Sequence, residues 1–264
     1  MVAISATLGV CWTLLSFAFF VLCRYLILPI SLLRPASTKT KRTASKSYVH
    51  TFLTCPDDQQ WERVNLLVSW IHSFITGVLV IYSFWAYAPH MFNDLVTHVT
   101  LVTYLTCALS YGYFWYDFCD VLSNRRGSEM MELLFHHVLT LIFFSFNIFR
   151  VFNIGYQMFA LIAEINSIFL HARKLFHLYQ IPRGHIIVRL NMFLNIFTFL
   201  LCRIGMLIFV TIFVYQDRYR VGNLNYMYVM YVLIPGVWIM NPILFYRVLR
   251  TDLFKKHQSK KLVS

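Results

Sequence analysis

Charge is scarce in this 264-residue chain: 13% of residues are Asp, Glu, Lys or Arg, against 59% hydrophobic. A soluble domain of this length needs a charged surface that this composition cannot supply, so that class is excluded. The ~10-residue alternating segments of a membrane barrel are also absent. The six cysteines (Cys11, Cys23, Cys55, Cys107, Cys119 and Cys202) form no CxxC pair, which argues against a zinc or disulfide framework and leaves them as small buried hydrophobes. There is no Gly-rich phosphate loop, no GxSxG, no HExxH and no acidic run for calcium, and no repeat stands out. No metal is expected.

Long uncharged stretches are what the chain has instead, and mean hydropathy is +0.62. They predict an all-α, polytopic membrane protein. Seven helices are expected, at about 8–32, 64–86, 95–122, 130–149, 153–172, 189–214 and 225–247. The fourth and fifth, separated by Arg150 and few neighbours, suit a re-entrant pair or a tight hairpin, either of which changes the span count. The formal charge of +12 points to membrane surfaces and not to nucleic acid, because the basic residues flank the apolar runs. Arg34, Lys39, Lys41, Arg42, Lys46 and Arg63 fall on one side with Arg125, Arg126, Arg173, Lys174, Arg183, Arg189 and the basic tail. The opposite loops hold only Arg150, Arg218 and Arg220, so the amino terminus is expected outside and the carboxyl terminus in the cytoplasm. The domain reading is an N-terminal helix (1–33), a basic Ser/Thr-rich linker (34–57), a six-helix domain (58–256) and a short basic tail (257–264).

Ionisable residues inside the apolar runs are the candidate functional groups. Each charge in hydrocarbon costs on the order of 2.5–3.5 kcal/mol on insertion scales, so such residues face the interior and pair. Helix rise puts His136 about 9 Å, Asp117 about 10 Å, His72 about 12 Å, Glu164 about 14 Å and Arg203 about 20 Å from the cytoplasmic helix ends. Glu164 and Arg203 are expected to pair. Asp117 and Asp120, three apart, share a helix face. Glu132, His136 and Thr140 form an i,i+4 stripe, and His137 points about 100° away, so the two histidines serve different ends. His50, His90, His171, His177, His185 and His257 read as solvated or interfacial. Trp61, Trp70, Trp85, Trp115, Tyr215, Tyr226 and Trp238 suit interfacial belts or lipid-facing packing. Pro235-Gly236 and Asn241-Pro242 predict a kinked or broken last helix.

The ordered set Trp61, Asn65-Leu66-Leu67-Val68-Ser69, His72-Ser73 and Gly77 is followed by Gly112-Tyr113-Phe114, Asp117 and Asp120. It continues with Glu132-Leu133, His136-His137-Val138, Glu164, Asn166, Arg173 and Arg203, and closes on Tyr246-Arg247-x-Leu249-Arg250-x-Asp252. This set resembles the TLC domain, the membrane module of translocating-chain-associating proteins and ceramide synthases. Within that family it is most similar to the subgroup of TLC domain-containing proteins 1 and 2. The resemblance implies a plasma-membrane regulator (the endoplasmic reticulum being the alternative) that restrains entry of long-chain polyunsaturated acyl chains into phospholipids and so controls bilayer fluidity. Expected partners are phospholipids or fatty acyl chains, with a lipid-remodelling enzyme as possible protein partner, and no cofactor is implied.

Ceramide synthases share the HHxxT element, matched by His136, His137 and Thr140. Their second element, His-Asp-x-x-Asp, here reads Ala163-Glu164-Ile165-Asn166-Ser167, which speaks against sphingoid-base acylation. Whether the chain is an enzyme therefore stays open. As an acyltransferase it would use acyl-CoA, His136 or His137 as general base and Asp117 to orient it. An accessory subunit of a channel or transporter is a further alternative, and a purely structural polar layer holding helices together is another.

Overall fold

The computed structural model describes residues 4–32, 58–124, 128–220 and 224–254. The linker at 34–57, Arg125, Arg126 and the tail at 257–264 lie outside them. Seven helical rods follow one another, and among the described residues there is no strand. They are α1 (Ala6–Leu32), α2 (Asp58–Asn93), α3 (Leu101–Asn124), α4 (Ser128–Arg150), a broken rod of α5 (Ile154–Leu161) and α6 (Ala163–Leu178), a second composite rod, and a last rod built on α9 (Leu224–Leu249). The second composite rod runs from α7 (Ile186–Thr198) through a π-helical segment, Phe199–Gly205, into α8 (Met206–Gln216). The last rod ends in a π turn, Arg250–Phe254.

By length and apolarity alone, four stretches suffice to cross a membrane: Ala6–Ile27, Gln60–Asn93, Ile186–Gln216 and Tyr226–Asp252. The other rods carry more polar side chains because they stand inside. α3 is the centre, packed against α1, α2, α4 and α5, with fourteen buried residues. The outer rods turn Ile187, Leu190, Phe193, Phe197, Ile208, Ile212, Tyr231, Val232, Ile239 and Ile243 outward. In water this would be a severe liability; against lipid it is the expected exterior.

Boundaries move for local reasons. α3 starts at Leu101 and not near 95 because Asp94 organises a turn: its carboxylate accepts the amides of Val96 and Thr97, each at 3.0 Å, and the Thr97 hydroxyl. Thr100 and Thr103 then exchange side-chain and backbone hydrogen bonds across the first turn. The α4–α5 hairpin is closed by left-handed residues, Val151 (φ 54°) and Asn153 (φ 57°), and Asn153 N–H donates to the Val96 carbonyl at 2.8 Å. α9 runs unbroken through Pro235 and Pro242, so of the two expected outcomes, a kink or a break, the break does not occur.

The first helix packs directly on α3 and α2. It crosses α3 so closely that a Cβ on Gly112 would lie 2.4 Å from the Thr13 carbonyl oxygen. Small residues let helix backbones approach in lipid, where there is no hydrophobic drive to associate them. Ser16 Oγ donates to the Leu109 carbonyl at 2.6 Å across the same contact.

Candidate functional site

α1, α2 and α3 meet at Asp120, whose side chain is fully buried. Arg24 forms an ion pair with Oδ1, while Trp61 Nε1 and Asn65 Nδ2 donate to Oδ2 at 3.0 and 2.9 Å. Asn124 Nδ2 donates to Oδ1 at 3.1 Å. Four donors on one carboxylate make this a structural clasp. Trp61, expected at an interfacial belt, is thus buried, and so is Tyr226 at 3% exposure.

Asn65 also ties Asp120 to its helix neighbour, since the same amide nitrogen donates to Asp117 Oδ1 at 2.8 Å. The second Asp117 oxygen lies 2.7 Å from His137 Nε2. The i,i+3 spacing of the aspartates makes this possible, since both reach one amide on α2. His137 is the histidine held by a carboxylate, at the α3–α4 contact. His136 turns away, its ring 5.9 Å from that of His137 at 80°. Thr140 donates to the His136 carbonyl at 2.9 Å, not to the imidazole. Glu132, on the same stripe, lies outside the residues whose side chains are described.

His72 is fully buried and stacks on Tyr113, with ring centroids 3.7 Å apart and planes 8° from parallel. Its Nε2 is 3.3 Å from Ser110 Oγ, and its Nδ1 lies 3.7 Å from Glu164 Oε2. Ser73 Oγ donates to that same Glu164 oxygen at 2.7 Å. Tyr113 in turn donates its hydroxyl to Ser69 at 2.8 Å. The layer thus has a second centre, between α2, α3 and α6.

Arg203 sits in the π-helical segment, a local widening of the helix that often occurs at functional sites. The expected Glu164–Arg203 ion pair is not formed. Arg203 Nε donates to Asn166 Oδ1 at 2.7 Å and one terminal nitrogen donates to Ser167 Oγ at 2.8 Å. Ser167 therefore takes the guanidinium at the position where the synthase-like element carries its second acid. The Glu164 carboxylate points instead to Ser73 on α2.

His171 was expected at a solvated helix end. Its Nδ1 is buried without a hydrogen-bond partner among the described residues. A signal for it exists in the sequence: Glu164, Ser167 and His171 are spaced i, i+3 and i+7, one helix face. Arg24, in the apolar run Val21-Leu22-Cys23-Arg24, was legible on the same grounds. Among the described residues no group of three or more His, Cys, Asp or Glu is arranged to hold a metal ion.

The apolar exterior and this buried polar layer define an integral, polytopic helical membrane protein. A model of the TLC domain matches residues 62–250, and the chain belongs to the TLC domain family. It is 32% identical over 209 residues to TLC domain-containing protein 2 of Danio rerio, covering 76% of this chain and 81% of that protein. It is 29% identical over 203 residues to human TLC domain-containing protein 1, covering 76% and 79%. TLC domain-containing protein 4-B of Danio rerio matches at 26% over 163 residues, 62% and 61% of the two chains. Membership makes this a membrane protein linked to lipid metabolism. α1 lies before the matched region, yet it supplies Arg24 to the clasp.

Proposed function

We propose that the protein regulates the acyl composition of plasma-membrane phospholipids and restrains incorporation of long-chain polyunsaturated chains. It acts by binding phospholipid or fatty acyl chains at the buried polar layer, alone or with a lipid-remodelling enzyme. The observation that carries this reading is Ser167. Where the synthase-like element carries an acid, a hydroxyl instead accepts a hydrogen bond from Arg203, and Ala163 stands in place of that element's histidine. The layer then holds lipid-contacting polar groups without the full acid set of a ceramide-forming enzyme. The distribution of lysines and arginines supports an external amino terminus and a cytoplasmic carboxyl terminus.

Acyl transfer from acyl-CoA is the second reading, favoured by one contact. His137 Nε2 at 2.7 Å from Asp117 Oδ2 is an imidazole oriented by a buried carboxylate, the arrangement general-base chemistry needs. Two measurements separate the readings. Purified protein in liposomes is given acyl-CoA and a lysophospholipid; the regulator reading expects no transfer, and turnover abolished by His137→Gln would sink it. Lipidomics of cells lacking the protein, restored with wild type or with His136→Ala/His137→Ala, tests the role itself. Restoration by wild type is expected, and no change in polyunsaturated phospholipids on loss of the protein would overturn the proposal.

A further inference from the structure

The short segment after α8 carries Arg218 and Arg220, which are held in opposite ways. Arg220 is spent on acids: its Nη1 donates to Asp217 Oδ1 at 3.1 Å and its Nη2 to Asp94 Oδ1 at 3.2 Å. Arg218 is half-buried, and no carboxylate of the described residues lies within 4 Å of it. Its guanidinium carbon stands 4.3 Å from the Tyr215 ring centroid and 4.4 Å from that of Tyr219. Among the described residues its only hydrogen bond runs from Nη1 to the Tyr215 carbonyl, at 2.8 Å. A cation over ring faces is held without spending its N–H donors, which lie in the guanidinium plane.

The segment is fixed from behind. Asp217 Oδ2 accepts the hydroxyl of fully buried Tyr156, on α5, at 2.7 Å. Arg220 ties the same aspartate to Asp94 in the turn before α3. Asp217 is thus occupied by Tyr156 and Arg220, and Arg218 keeps its charge without an acid beside it. In front, the rings are open: Tyr215 is 66% exposed and Tyr219 83%. Ile208, Ile212 and Tyr215 are spaced i, i+4 and i+7 on one face of α8, and all three are exposed. The apolar span Ile186–Gln216 ends directly after Tyr215, so this face leads out of hydrocarbon, with Ile208 about 10 Å deeper than Tyr215. Tyrosine rings at such a boundary lie at headgroup level. Phosphate is the anion that a planar guanidinium fork meets there with parallel hydrogen bonds.

We propose that Tyr215, Arg218 and Tyr219 form a docking site for one membrane glycerophospholipid. Its phosphate takes the remaining N–H groups of Arg218, and an acyl chain lies along Ile212 and Ile208. The charge selects the phosphate, and the apolar stripe selects a molecule that carries a chain. This site stands on the geometry of the α8 end and does not depend on the role proposed for the buried layer.

The test uses the full chain in maltoside micelles, titrated with a phosphatidylcholine or a diacylglycerol that carries a photoreactive diazirine in one acyl chain. Cross-links are mapped along the chain by mass spectrometry. Phosphatidylcholine is expected to label the peptide spanning 208–219 at a lower concentration than diacylglycerol, which has the chains without the phosphate. Arg218→Gln is expected to raise the half-labelling concentration for phosphatidylcholine about tenfold, the loss of charge-assisted hydrogen bonds. Labelling of other segments is expected to stay as in wild type, which reports an intact fold. Arg218→Lys, which keeps the charge but not the planar fork, is expected to fall between the two. Tyr215→Leu/Tyr219→Leu leaves the arginine and the backbone carbonyl in place and is expected to weaken the same labelling, so the proposal is tested by two independent variants. Equal labelling by diacylglycerol, displacement by millimolar inorganic phosphate alone, or labelling of 208–219 undiminished in Arg218→Gln overturns the proposal.

Discussion

Removing the Arg24 side chain tests whether the first helix is part of the lipid-handling domain. Arg24 is 3% exposed and its partner Asp120 is 0% exposed, so the pair is buried on both sides. Breaking a buried pair by deleting one partner leaves a charge without compensation, at about 3–5 kcal/mol. Trp61, Asn65 and Asn124 still donate to the Asp120 carboxylate, which sets Arg24→Met toward the lower end of that range. Neutralising the orphan should relieve the damage, because a neutral side chain in the same place has little to lose from the missing guanidinium. Arg24→Met/Asp120→Asn is therefore expected to recover about 1–2 kcal/mol relative to Arg24→Met alone. The assay is reversible unfolding of the purified protein in mixed micelles, followed by tryptophan fluorescence, for wild type, both single variants and the double. A double variant as unstable as the sum of the singles shows no coupling and refutes the clasp. So does an Arg24→Met protein that unfolds like wild type.

Three further expectations use the same preparation. Gly112→Ala places a methyl 2.4 Å from the Thr13 carbonyl oxygen and should cost about 1–3 kcal/mol by overpacking, read as a lower midpoint; an unchanged midpoint means α1 and α3 do not cross there. His137→Ala removes a partner from buried Asp117 and should destabilise by about 1–3 kcal/mol, whereas His136→Ala, with no side-chain partner to lose, should stay within about 0.5 kcal/mol. Equal losses in the two variants would contradict the division of labour between the histidines. Asp94 lies outside the membrane spans. Burial raises its pKa, but hydrogen bonds from Thr97 and Val96 and the nearby Arg220 outweigh that and hold it below the usual carboxylate value. Its contribution is therefore fully present above the unfolded-state pKa and is lost as pH falls through the lowered folded value. Thermal midpoints of wild type should drop more steeply below about pH 4 than those of Asp94→Asn, and parallel acid profiles would refute the turn's role.

The sequence carried much of this architecture because membrane helices announce themselves. Apolar runs must satisfy their backbone internally, so the pattern of apolar stretches and their polar breaks yields seven rods close to those observed, although only four are long and apolar enough to cross a membrane by that measure alone. The polar layer was legible for the same reason: ionisable residues in hydrocarbon are few, and helix rise is enough to estimate their depth. Helical spacing also placed Asp117 and Asp120 on one face and separated His136 from His137.

Partner choice was beyond that arithmetic. Depth says that Glu164 and Arg203 lie in one layer, but rotation about each helix axis decides whether they touch. The π-helical segment at Phe199–Gly205 changes that rotation, and Arg203 meets Asn166 and Ser167 while Glu164 turns to Ser73. Rotation also chose His137 over His136 for Asp117 and brought Trp61 inward to Asp120. His171, counted from the end of its helix as interfacial, lies on the buried face because α6 continues to Leu178.

The sequence by itself thus determined the membrane environment, the rods and the stock of buried charges, because transfer energy depends on residue type and spacing. Only the tertiary structure decided which charges pair, that α1 belongs to the core, and that Arg203 meets Asn166 and Ser167 in place of Glu164. Those choices depend on helix rotation, close backbone crossings and contacts between residues up to 126 positions apart. No local pattern encodes them.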